Sequence, residues 1–471
     1  MKNKLCAQSQ TVRELLEILN CTPCGFAFIV DANEKLKGII TDGDVRRYLL
    51  NGFDLNQSVK ELKIPMCIYA SVTDDHSDML KKMNSKIRVL PIADDELKPV
   101  DYLQYDERKH IPVAIPNLEG NELKYVTDAM LSTWISSSGE YIDAFEKTFP
   151  QYIGVEFGVA TTNGTVALSL ALLALGIKNG DEIIVPDLTF AATINSVLHV
   201  NATPVIVDVE KDSWCIDPVE IEKAITKKTK AIIPVHLYGQ SCDMAKIMSI
   251  AEMNNLYVIE DCAEAHGAEF EGKKVGGFGD ISCFSFFGNK IITTGEGGMC
   301  LTNSPEINKK MRQYRDHGMS LEKRYWHEVV GYNYRMTNLQ AAIGCAQIER
   351  IETILSERAE IENSYRTIFK KFPFIQRQAL FKNRKKVTWL VSALVDESEV
   401  EPLIELFSKN KIDVRKFFYP LSEMPIYSQY LFSNKNAKQI SKQGVCFPTH
   451  KRVDFTLIGS VLESYSEASI G

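Results

Sequence analysis

The chain has 471 residues, which is enough for several domains at ~100–200 residues each. Apolar residues make up 45% and charged residues 24% of it, an ordinary globular usage that excludes disorder throughout the chain. A formal net charge of -7 gives no bulk attraction for a nucleic acid or an anionic membrane, so an anionic ligand needs a local site.

Signals for a membrane or for secretion are weak. The longest apolar run, Val166 to Ile177, is shorter than the ~20 residues of a membrane-spanning helix. The N-terminal segment MKNKLCAQSQTVRELLEILN has polar residues where a secretory signal has its apolar stretch. The eleven cysteines are odd in number and scattered, which fits reduced thiols better than a disulfide framework. We therefore expect a cytoplasmic protein with neither a membrane nor a nucleic acid as partner.

Residues 1–107 are predicted to form one domain from two copies of a small unit. The first copy has a helix, two strands and a second helix, at Val12 to Leu19, Phe26 to Asp31, Leu36 to Thr41 and Val45 to Leu50. The same kinds of element recur more loosely at Cys67 to Ala70, Asp75 to Met83, Arg88 to Ala93 and Pro99 to Tyr102. Such similarity indicates an internal repeat. The polar stretch Asp106 to Lys109 marks the end of the domain.

The first copy carries a specific motif. The segment FIVDANEKLKGIITDGDVRR, residues 28–47, resembles one half of a CBS pair, and LPIADDELKPVDYL, residues 90–103, is a weaker match. Members of that family often bind adenine nucleotides between the two halves. The resemblance implies that Thr41 and Asp44 approach the ribose hydroxyls of such a nucleotide. Asp44 would equally well cap the helix that begins at Val45, so both interpretations stay open.

From residue 108 onward, strands and helices alternate at longer spacing. Four short apolar runs are predicted strands: Glu182 to Pro186, Pro204 to Val207, Ala231 to Val235 and Leu256 to Glu260. Helical patterns separate them, and this order is typical of βα units around a mostly parallel sheet. Residues 362–471 are predicted to form a smaller α/β subdomain, with elements at Thr388 to Val395, Val400 to Lys409 and Leu457 to Tyr465.

Ligands of such sheets bind at the C-terminal ends of the strands. Gly164 and Thr165 open a helix whose free N–H groups would attract an anion, although ordinary capping gives the same pattern. Asp261 ends a buried strand and needs a positive partner, either a protonated pyridine nitrogen or a salt bridge. Lys290 lies between an aromatic run and a glycine-rich loop, where burial would lower the pKa of its ammonium and favour Schiff-base chemistry. A lysine considered alone is more often a surface group.

Seven ordered motifs together resemble one family. They are STWISSSGEY, TTNGTVALSLALLALG, EIIVPDLTF, VHLYGQSCDM, VIEDCAEAHGA, FGDISCFSFFGNKIITTGEGGM and GYNYRMTNLQAAIG. Over about residues 111–430 the chain is similar to fold-type I pyridoxal-phosphate enzymes of the DegT/DnrJ/EryC-type sugar aminotransferase group. The resemblance implies an α/β fold with a large parallel or mixed-sheet domain, residues 108–361, and a small C-terminal subdomain, residues 362–471, preceded by the CBS-pair domain.

The resemblance also implies pyridoxal 5'-phosphate (PLP) as cofactor, with pyridoxamine phosphate (PMP) as its intermediate form. Lys290 would carry the cofactor covalently and, once free, move protons between carbon atoms, while Asp261 would pair with the pyridine nitrogen. Three residues would hold the phosphate, namely Gly164, Thr165 and Ser285. Phe190 would stack on the ring, and Glu264 would lie beside it.

Other implied roles concern subunits and substrate. Asn333, in GYNYRMT, would reach the cofactor phosphate of a neighbouring subunit, which implies a homodimer or larger assembly with shared active sites. Arg415 would bind a diphosphate bidentately, with a surface arginine as the alternative. The remaining candidates for the sugar-nucleotide cleft, which core packing would also explain, are Trp134, Ser137, His236, Tyr238 and Tyr419.

The expected reaction converts the 4-keto group of a nucleotide-linked 6-deoxyhexose to an amine, with L-glutamate as donor. GDP-4-keto-6-deoxymannose, giving GDP-perosamine for surface-polysaccharide assembly, is the first choice, and a UDP-linked 4-keto sugar is the alternative. A sugar 3-dehydratase of the same fold is disfavoured, because that branch has His where this chain has Lys290. The alternative from another class is a nucleotide-sensing protein whose C-terminal half is a non-catalytic scaffold. No metal site is expected.

Overall fold

A computed structural model describes residues 4–20, 25–74, 79, 82–83, 87–104 and 110–470. The chain divides into two compact units, residues 1–110 and 111–471. The predicted stretch Asp106 to Lys109 and most of the predicted helix Asp75 to Met83 lie outside the described residues. Among the residues that are described, no helix is both long and apolar enough to cross a membrane.

The first unit contains two three-stranded sheets of the same design. One holds β1 (Leu5–Ala7), β2 (Phe26–Val30) and β3 (Leu36–Thr41), and the other holds β4 (Ala70–Ser71), β5 (Val89–Ala93) and β6 (Pro99–Gln104). In each sheet the first strand runs parallel and the third antiparallel to the central one. The two helices described in full are α1 (Val12–Asn20) and α2 (Asp42–Leu50).

The hairpin turns of the two sheets match in atomic detail. The Oδ1 atom of Asp31 accepts the N–H groups of the residues two and four positions later, and Asp94 does the same. Each turn includes a residue with positive φ, Glu34 at 62° and Leu97 at 65°. The predicted internal repeat is therefore confirmed. The element expected at Cys67 to Ala70 overlaps the strand β4 only at Ala70, where pairing with β5 begins.

The second unit is built on a seven-stranded sheet in the order β7-β15-β14-β11-β10-β8-β9. The strands are β7 (Phe157–Thr161), β8 (Glu182–Pro186), β9 (Thr203–Val207), β10 (Thr229–Ile232), β11 (Tyr257–Asp261), β14 (Ile281–Ser285) and β15 (Gly298–Thr302). The strand β15 is antiparallel to both of its neighbours, β7 and β14. The five strands from β14 to β9 form a parallel block. The expected mixed sheet is thus confirmed.

Helices cover both faces of this sheet. They are α3 (Glu122–Leu131), α4 (Glu140–Ile153), α5 (Gly164–Ala174), α6 (Ala192–His199), α7 (Pro218–Ala224), α8 (Met244–Met253), α9 (Pro305–Arg315), α10 (Asn338–Glu349) and α11 (Ile351–Phe369). On one face a core contains the packed rings of Phe145, Phe149, Phe284 and Phe286. On the other face α5, which is apolar on nearly all sides, is buried against α6 and α9.

The C-terminal part adds a four-stranded antiparallel sheet in the order β16-β18-β20-β19. Its strands are β16 (Gln376–Arg377), β18 (Val391–Leu394), β19 (Arg415–Lys416) and β20 (Gly444–Phe447), and its helices are α12 (Glu397–Lys409), α13 (Lys435–Gln443) and α14 (Phe455–Ile470). A small sheet of β12 (Glu269–Phe270), β13 (Lys273–Lys274) and β17 (Arg384–Lys385) lies apart. The helix α11 runs without interruption across the predicted limit between residues 361 and 362, and the domain limits stay a prediction.

Candidate active site

A cavity of about 650 Å³ opens at the C-terminal ends of the central parallel strands. Asp261 is the last residue of β11, Ser285 is the last residue of β14, and Phe190 follows β8. This is the sheet edge at which parallel strands present their carboxyl ends, and it is where α/β folds bind ligands. The C-terminal part completes the lining with Trp389, Leu390, Arg415, Lys416, Phe418 and Cys446.

An anion-sized cradle lies at the start of α5. Asn163 caps this helix by accepting the N–H of Val166, 3.0 Å from its Oδ1, so the cap fixes the first turn. A Cβ atom on Gly164 would lie 2.7 Å from the Cβ of Ser285, so only glycine leaves this approach open. The helix N-terminus and the Ser285 hydroxyl thus face the same small space, which suits a phosphate group.

Asp261 is a buried carboxylate with few partners. Its Oδ2 accepts the Thr193 hydroxyl at 2.9 Å, and its Oδ1 accepts the N–H of Ala263 at 3.2 Å. Burial raises the pKa of Asp261 above its ordinary value, although these hydrogen bonds and the charge of Lys290 oppose the shift. A carboxylate held at this cost is ready to accept a cationic ligand group.

Lys290 enters the cavity from the loop after β14. Its Nζ lies 3.8 Å from an Oε1 of Glu264 and 4.1 Å from the centre of the Trp389 ring. Burial lowers the pKa of Lys290, while the charges of Glu264 and Asp261 act in the opposite direction. Burial likewise raises the pKa of Glu264 to about 7, against the charge of Lys290 and a hydrogen bond from the N–H of Tyr238. The amine is therefore easier to deprotonate than a surface lysine.

Aromatic side chains form one wall of the cavity. The rings of Tyr238, Trp389 and Phe418 are nearly parallel, with centroids 5.8 to 6.4 Å apart. Phe190 lies on the other side of Phe418, with their centroids 5.8 Å apart. Tyr238 and Trp389 are buried, and Trp389 lies beside Lys290, so the surroundings of the amine are apolar on this side and its electrostatic interactions are strengthened.

Most of the predicted site residues meet in this cavity. Its lining includes Gly164, Thr165, Phe190, Tyr238, Asp261, Glu264, Ser285, Lys290 and Arg415. The other five residues predicted for the catalytic unit lie outside the lining, and they are Trp134, Ser137, His236, Asn333 and Tyr419. Trp134 and Tyr419 are exposed, as is Asn333, which pairs with Asp316 in an isolated β-bridge.

His236 belongs to a buried network instead of the cleft. Its Nε2 lies 3.1 Å from an oxygen of Glu260, and its Nδ1 accepts the N–H of Cys242 at 3.1 Å. Glu260 also accepts three backbone N–H groups from Gly276, Phe278 and Gly279 at 2.7 to 2.8 Å. Both ring nitrogens of His236 thus have polar partners within the protein, and its predicted contact with substrate stays a prediction.

In the first unit, Thr41 and Asp44 form a capping box at the start of α2. The Thr41 hydroxyl donates to Oδ2 of Asp44 at 2.6 Å, the N–H of Thr41 donates to the same oxygen, and Arg47 pairs with Oδ1. The capping interpretation left open above therefore describes this geometry.

The lining also contains residues that the sequence analysis did not single out, among them Thr193, Asn289 and Trp389. Thr193 is three positions after Phe190, and Asn289 directly precedes Lys290, so closeness in sequence to these predicted residues could have identified them. Trp389 was included in a predicted strand as a core residue, and no local pattern shows that a residue 99 positions after Lys290 contacts it.

The residues present fit PLP. A phosphate would enter the cradle that Gly164 leaves open beside Ser285 and the N-terminus of α5. The pyridine nitrogen would meet the Asp261 carboxylate, and the aldehyde carbon would meet the Lys290 amine. The cavity thus combines an anion-binding site, a buried carboxylate and a buried amine. They match the phosphate, the pyridine nitrogen and the aldehyde of the cofactor.

Comparisons with known proteins agree with this geometry. A model of the DegT/DnrJ/EryC1/StrS aminotransferase family matches residues 116–465, and a CBS domain model matches residues 4–51. The GDP-perosamine synthase of Escherichia coli O157:H7 is 43% identical over 360 residues, which cover 76% of this chain and 98% of that protein. The GDP-perosamine synthase of Caulobacter vibrioides is 45% identical over 354 residues, covering 72% and 93%.

A solved protein of Streptococcus pneumoniae has the same fold. Its PMP form matches with a TM-score of 0.72 at 26% identity, over 77% of this chain and 100% of that chain. Its PLP form matches with a TM-score of 0.71 at the same identity, over 76% and 97%. In this chain a CBS domain precedes the part that resembles aminotransferases. The chain therefore belongs to the DegT/DnrJ/EryC1/StrS aminotransferase family and is a PLP-dependent enzyme.

Proposed function

We propose that this protein transfers the amino group of L-glutamate to the 4-keto carbon of GDP-4-keto-6-deoxymannose and releases GDP-perosamine. The convergence of Lys290, Asp261 and Glu264 in one cavity carries the proposal. Two relatives that are named GDP-perosamine synthases, and that match this chain over 98% and 93% of their lengths, support the choice of sugar and nucleotide. A cytoplasmic location stays a prediction.

When bound, PLP supplies an electron sink for the pair released on removing a proton from the carbon that bears the amine. Asp261 keeps a proton on the ring nitrogen, because a buried carboxylate stabilises a cation beside it. Lys290, once free, accepts the proton at Nζ from one carbon and delivers it to the next. Glu264, within 3.8 Å of Nζ, balances the positive charge that Lys290 carries between these two steps.

Two cations lie at the mouth of the cavity, on strand β19. Arg415 pairs with Asp413 at 3.0 Å and Lys416 pairs with Glu401, and both basic residues are exposed. Exposed pairs of this kind exchange partners at little cost. We propose that Arg415, with Tyr419 nearby in the chain, turns to the diphosphate of the sugar nucleotide and binds it bidentately.

The test of substrate is product analysis. The purified protein is incubated with L-glutamate and, in parallel, with the GDP-linked and the UDP-linked 4-keto-6-deoxyhexose. We expect an amino sugar from the GDP-linked ketone and 2-oxoglutarate in equal amount. Faster turnover of the UDP-linked ketone would replace the proposal with its alternative, and amino transfer to neither would overturn it.

Substitution of Gly164 by alanine is expected to weaken cofactor binding at least about tenfold, because the new Cβ would overlap Ser285 and close the cradle. The measurement is titration of the cofactor-free protein with PLP, followed by absorbance. Gly459→Ala is the matched control, since a Cβ at Gly459 meets nothing within 4 Å. Equal affinity of G164A and the parent would show that the phosphate binds elsewhere.

We further propose that the enzyme works as a homodimer with shared active sites. Asn333 supports this, because the residue is exposed and lies outside the cavity of its own protomer, whereas the family resemblance implies a contact with the cofactor phosphate of a neighbouring subunit. Trp134 and Ser137 lie outside the same cavity, and a second copy is one way to bring such residues to it.

For the N-terminal unit we propose that an adenine nucleotide binds near Thr41 and Asp44 and adjusts activity or assembly. The CBS match to residues 4–51 supports it. Asp44→Asn keeps the cap of α2 and removes the charge, so we expect weaker nucleotide binding in calorimetry with ATP and AMP. Glu17→Ala, an exposed change on α1, is the control. Unchanged binding and turnover in D44N would refute the assignment.

A further inference from the structure

The amine of Lys290 rests on the face of an indole ring. Its Nζ lies 4.1 Å from the centre of the Trp389 ring, a distance at which a cation is attracted by the ring electrons. Trp389 is 4% exposed, so the contact is largely desolvated and correspondingly strong. The indole N–H donates to the backbone carbonyl of Asn289 at 2.8 Å, which fixes the plane of the ring beside the loop that carries the lysine.

A buried arginine holds the two backbones together. Arg358, on α11, is 6% exposed and donates to the carbonyl of Trp389 at 2.8 Å and to that of Lys290 at 3.4 Å. One guanidinium therefore ties the loop of the lysine to the segment that carries the indole, although 98 residues separate them in the sequence. A rigid support of this kind keeps a reacting group within a fraction of an ångström of its place.

The other groups near Lys290 differ from the indole in charge or in their ability to accept a proton from the lysine. Glu264 lies 3.8 Å from Nζ and Asp261 lies further along the cavity, and both are carboxylates able to take the proton. His266 is buried and neutral, because burial lowers its pKa to about 3. The positive charge of Arg358 is turned to backbone carbonyls. An indole attracts the ammonium and has no lone pair to accept its proton.

We infer that Trp389 is a positioning residue that holds the free amine of Lys290 over the cavity by a cation–π contact, without competing for the proton that the lysine carries. The inference rests on the proposed role of Lys290 in proton transfer. It gives a role to the contact between Lys290 and Trp389, the ring of the aromatic wall that lies beside the lysine. Local sequence patterns did not single out this tryptophan.

The test measures the protonation of Lys290 directly. The full-length protein is loaded with PMP, in which form Lys290 is free, and is treated briefly with acetic anhydride at a series of pH values. Mass spectrometry of the peptide that contains Lys290 gives the midpoint of its labelling. Removing the indole by Trp389→Leu removes a contact that favours the charged amine, so we expect the midpoint to fall by about one pH unit. Trp389→Phe retains an aromatic ring that attracts a cation less strongly, so the midpoint of Lys290 should fall by less than half as much in that variant.

Trp214→Phe is the control for general repacking. Trp214 is fully buried and packs on Tyr238 and Phe417, and both Tyr238 and Trp389 stand between it and the lysine, so the midpoint of Lys290 should not move in W214F. If W389L leaves the midpoint of Lys290 within about 0.2 pH unit of the parent, the cation–π assignment is overturned. Labelling needs no turnover, so loss of the proposed sugar reaction would not by itself produce either result.

A second measurement covers the case in which W389L does not fold. Growth with 5-fluorotryptophan leaves the shape of every indole in place and withdraws electrons from its ring, which weakens the attraction for a cation. We expect the Lys290 midpoint to fall in the fluorinated parent and to stay fixed in fluorinated W389F, which has lost this one indole. An equal response in both proteins would assign the effect to the other tryptophans and refute the inference.

Discussion

Lys290→Ala is expected to lower the rate of amino transfer by about 10³-fold or more, because one side chain both attaches the cofactor and moves the proton. Lys290→Arg should be as inactive, since a guanidinium keeps the charge but stays protonated at any working pH. Both variants should also lose the visible absorbance of the purified enzyme. The loss of rate is measured as product formed from the GDP-linked ketone and L-glutamate.

Borohydride trapping identifies the attachment site independently of turnover. Reduction of the PLP-loaded parent, followed by peptide mapping, should place the label on the peptide that contains Lys290, and K290A should carry none. Lys309→Ala, an exposed change on α9, is the matched control and should behave as the parent. A label on any other lysine, or a coloured and active K290A, would remove the basis of the proposed mechanism.

Asp261→Asn is expected to reduce turnover by about 10²- to 10³-fold, because loss of one member of a buried ion pair costs ~3–5 kcal/mol. The amide is nearly the same shape, so the hydrogen bond from Thr193 and the local packing should persist. Attachment of PLP to Lys290 should survive, and only the step that needs a protonated ring nitrogen should slow. The cofactor content and turnover of D261N are therefore measured on the same sample.

The control is Asp143→Asn, which removes an exposed carboxylate on α4. We expect D143N to match the parent in both quantities. Full turnover in D261N with normal cofactor content would mean that the ring nitrogen does not depend on this carboxylate. Loss of cofactor together with activity would instead assign Asp261 a role in binding.

Several of the predicted residues that meet in the cavity share one property of the fold, which is that each lies near the end of a strand. Gly164, Asp261 and Ser285 lie at the C-terminal ends of strands or directly after them, and parallel strands bring those ends to one edge of the sheet. Four strands of the parallel block were predicted to within two or three residues. The strands β7, β14 and β15 were not predicted; they are as short and as buried as β8, so alternation gives no signal for any of these four.

What the sequence could not show depends on side-chain direction and on distant contacts. His236 stands in a motif shared with the family, but the motif does not reveal that its ring turns to Glu260. Trp389 and Arg358 reach Lys290 from far along the chain, through contacts that only the folded state creates. The aromatic wall was predicted in part, from Phe190 and Tyr238, and was completed by Phe418 and Trp389.

The strand β11 ends in two carboxylates that face opposite ways, as consecutive residues of a strand must. Glu260 anchors the turn around Gly276 to Gly279 on one side of the sheet, and Asp261 faces the cavity on the other. A slip of one position along the strand would turn each acid to the opposite face of the sheet, which would separate Glu260 from the backbone N–H groups that it accepts and Asp261 from the cavity. The alignment of β11 therefore links the anchoring of this turn to the electrostatics of the cavity, because one displacement would disturb both.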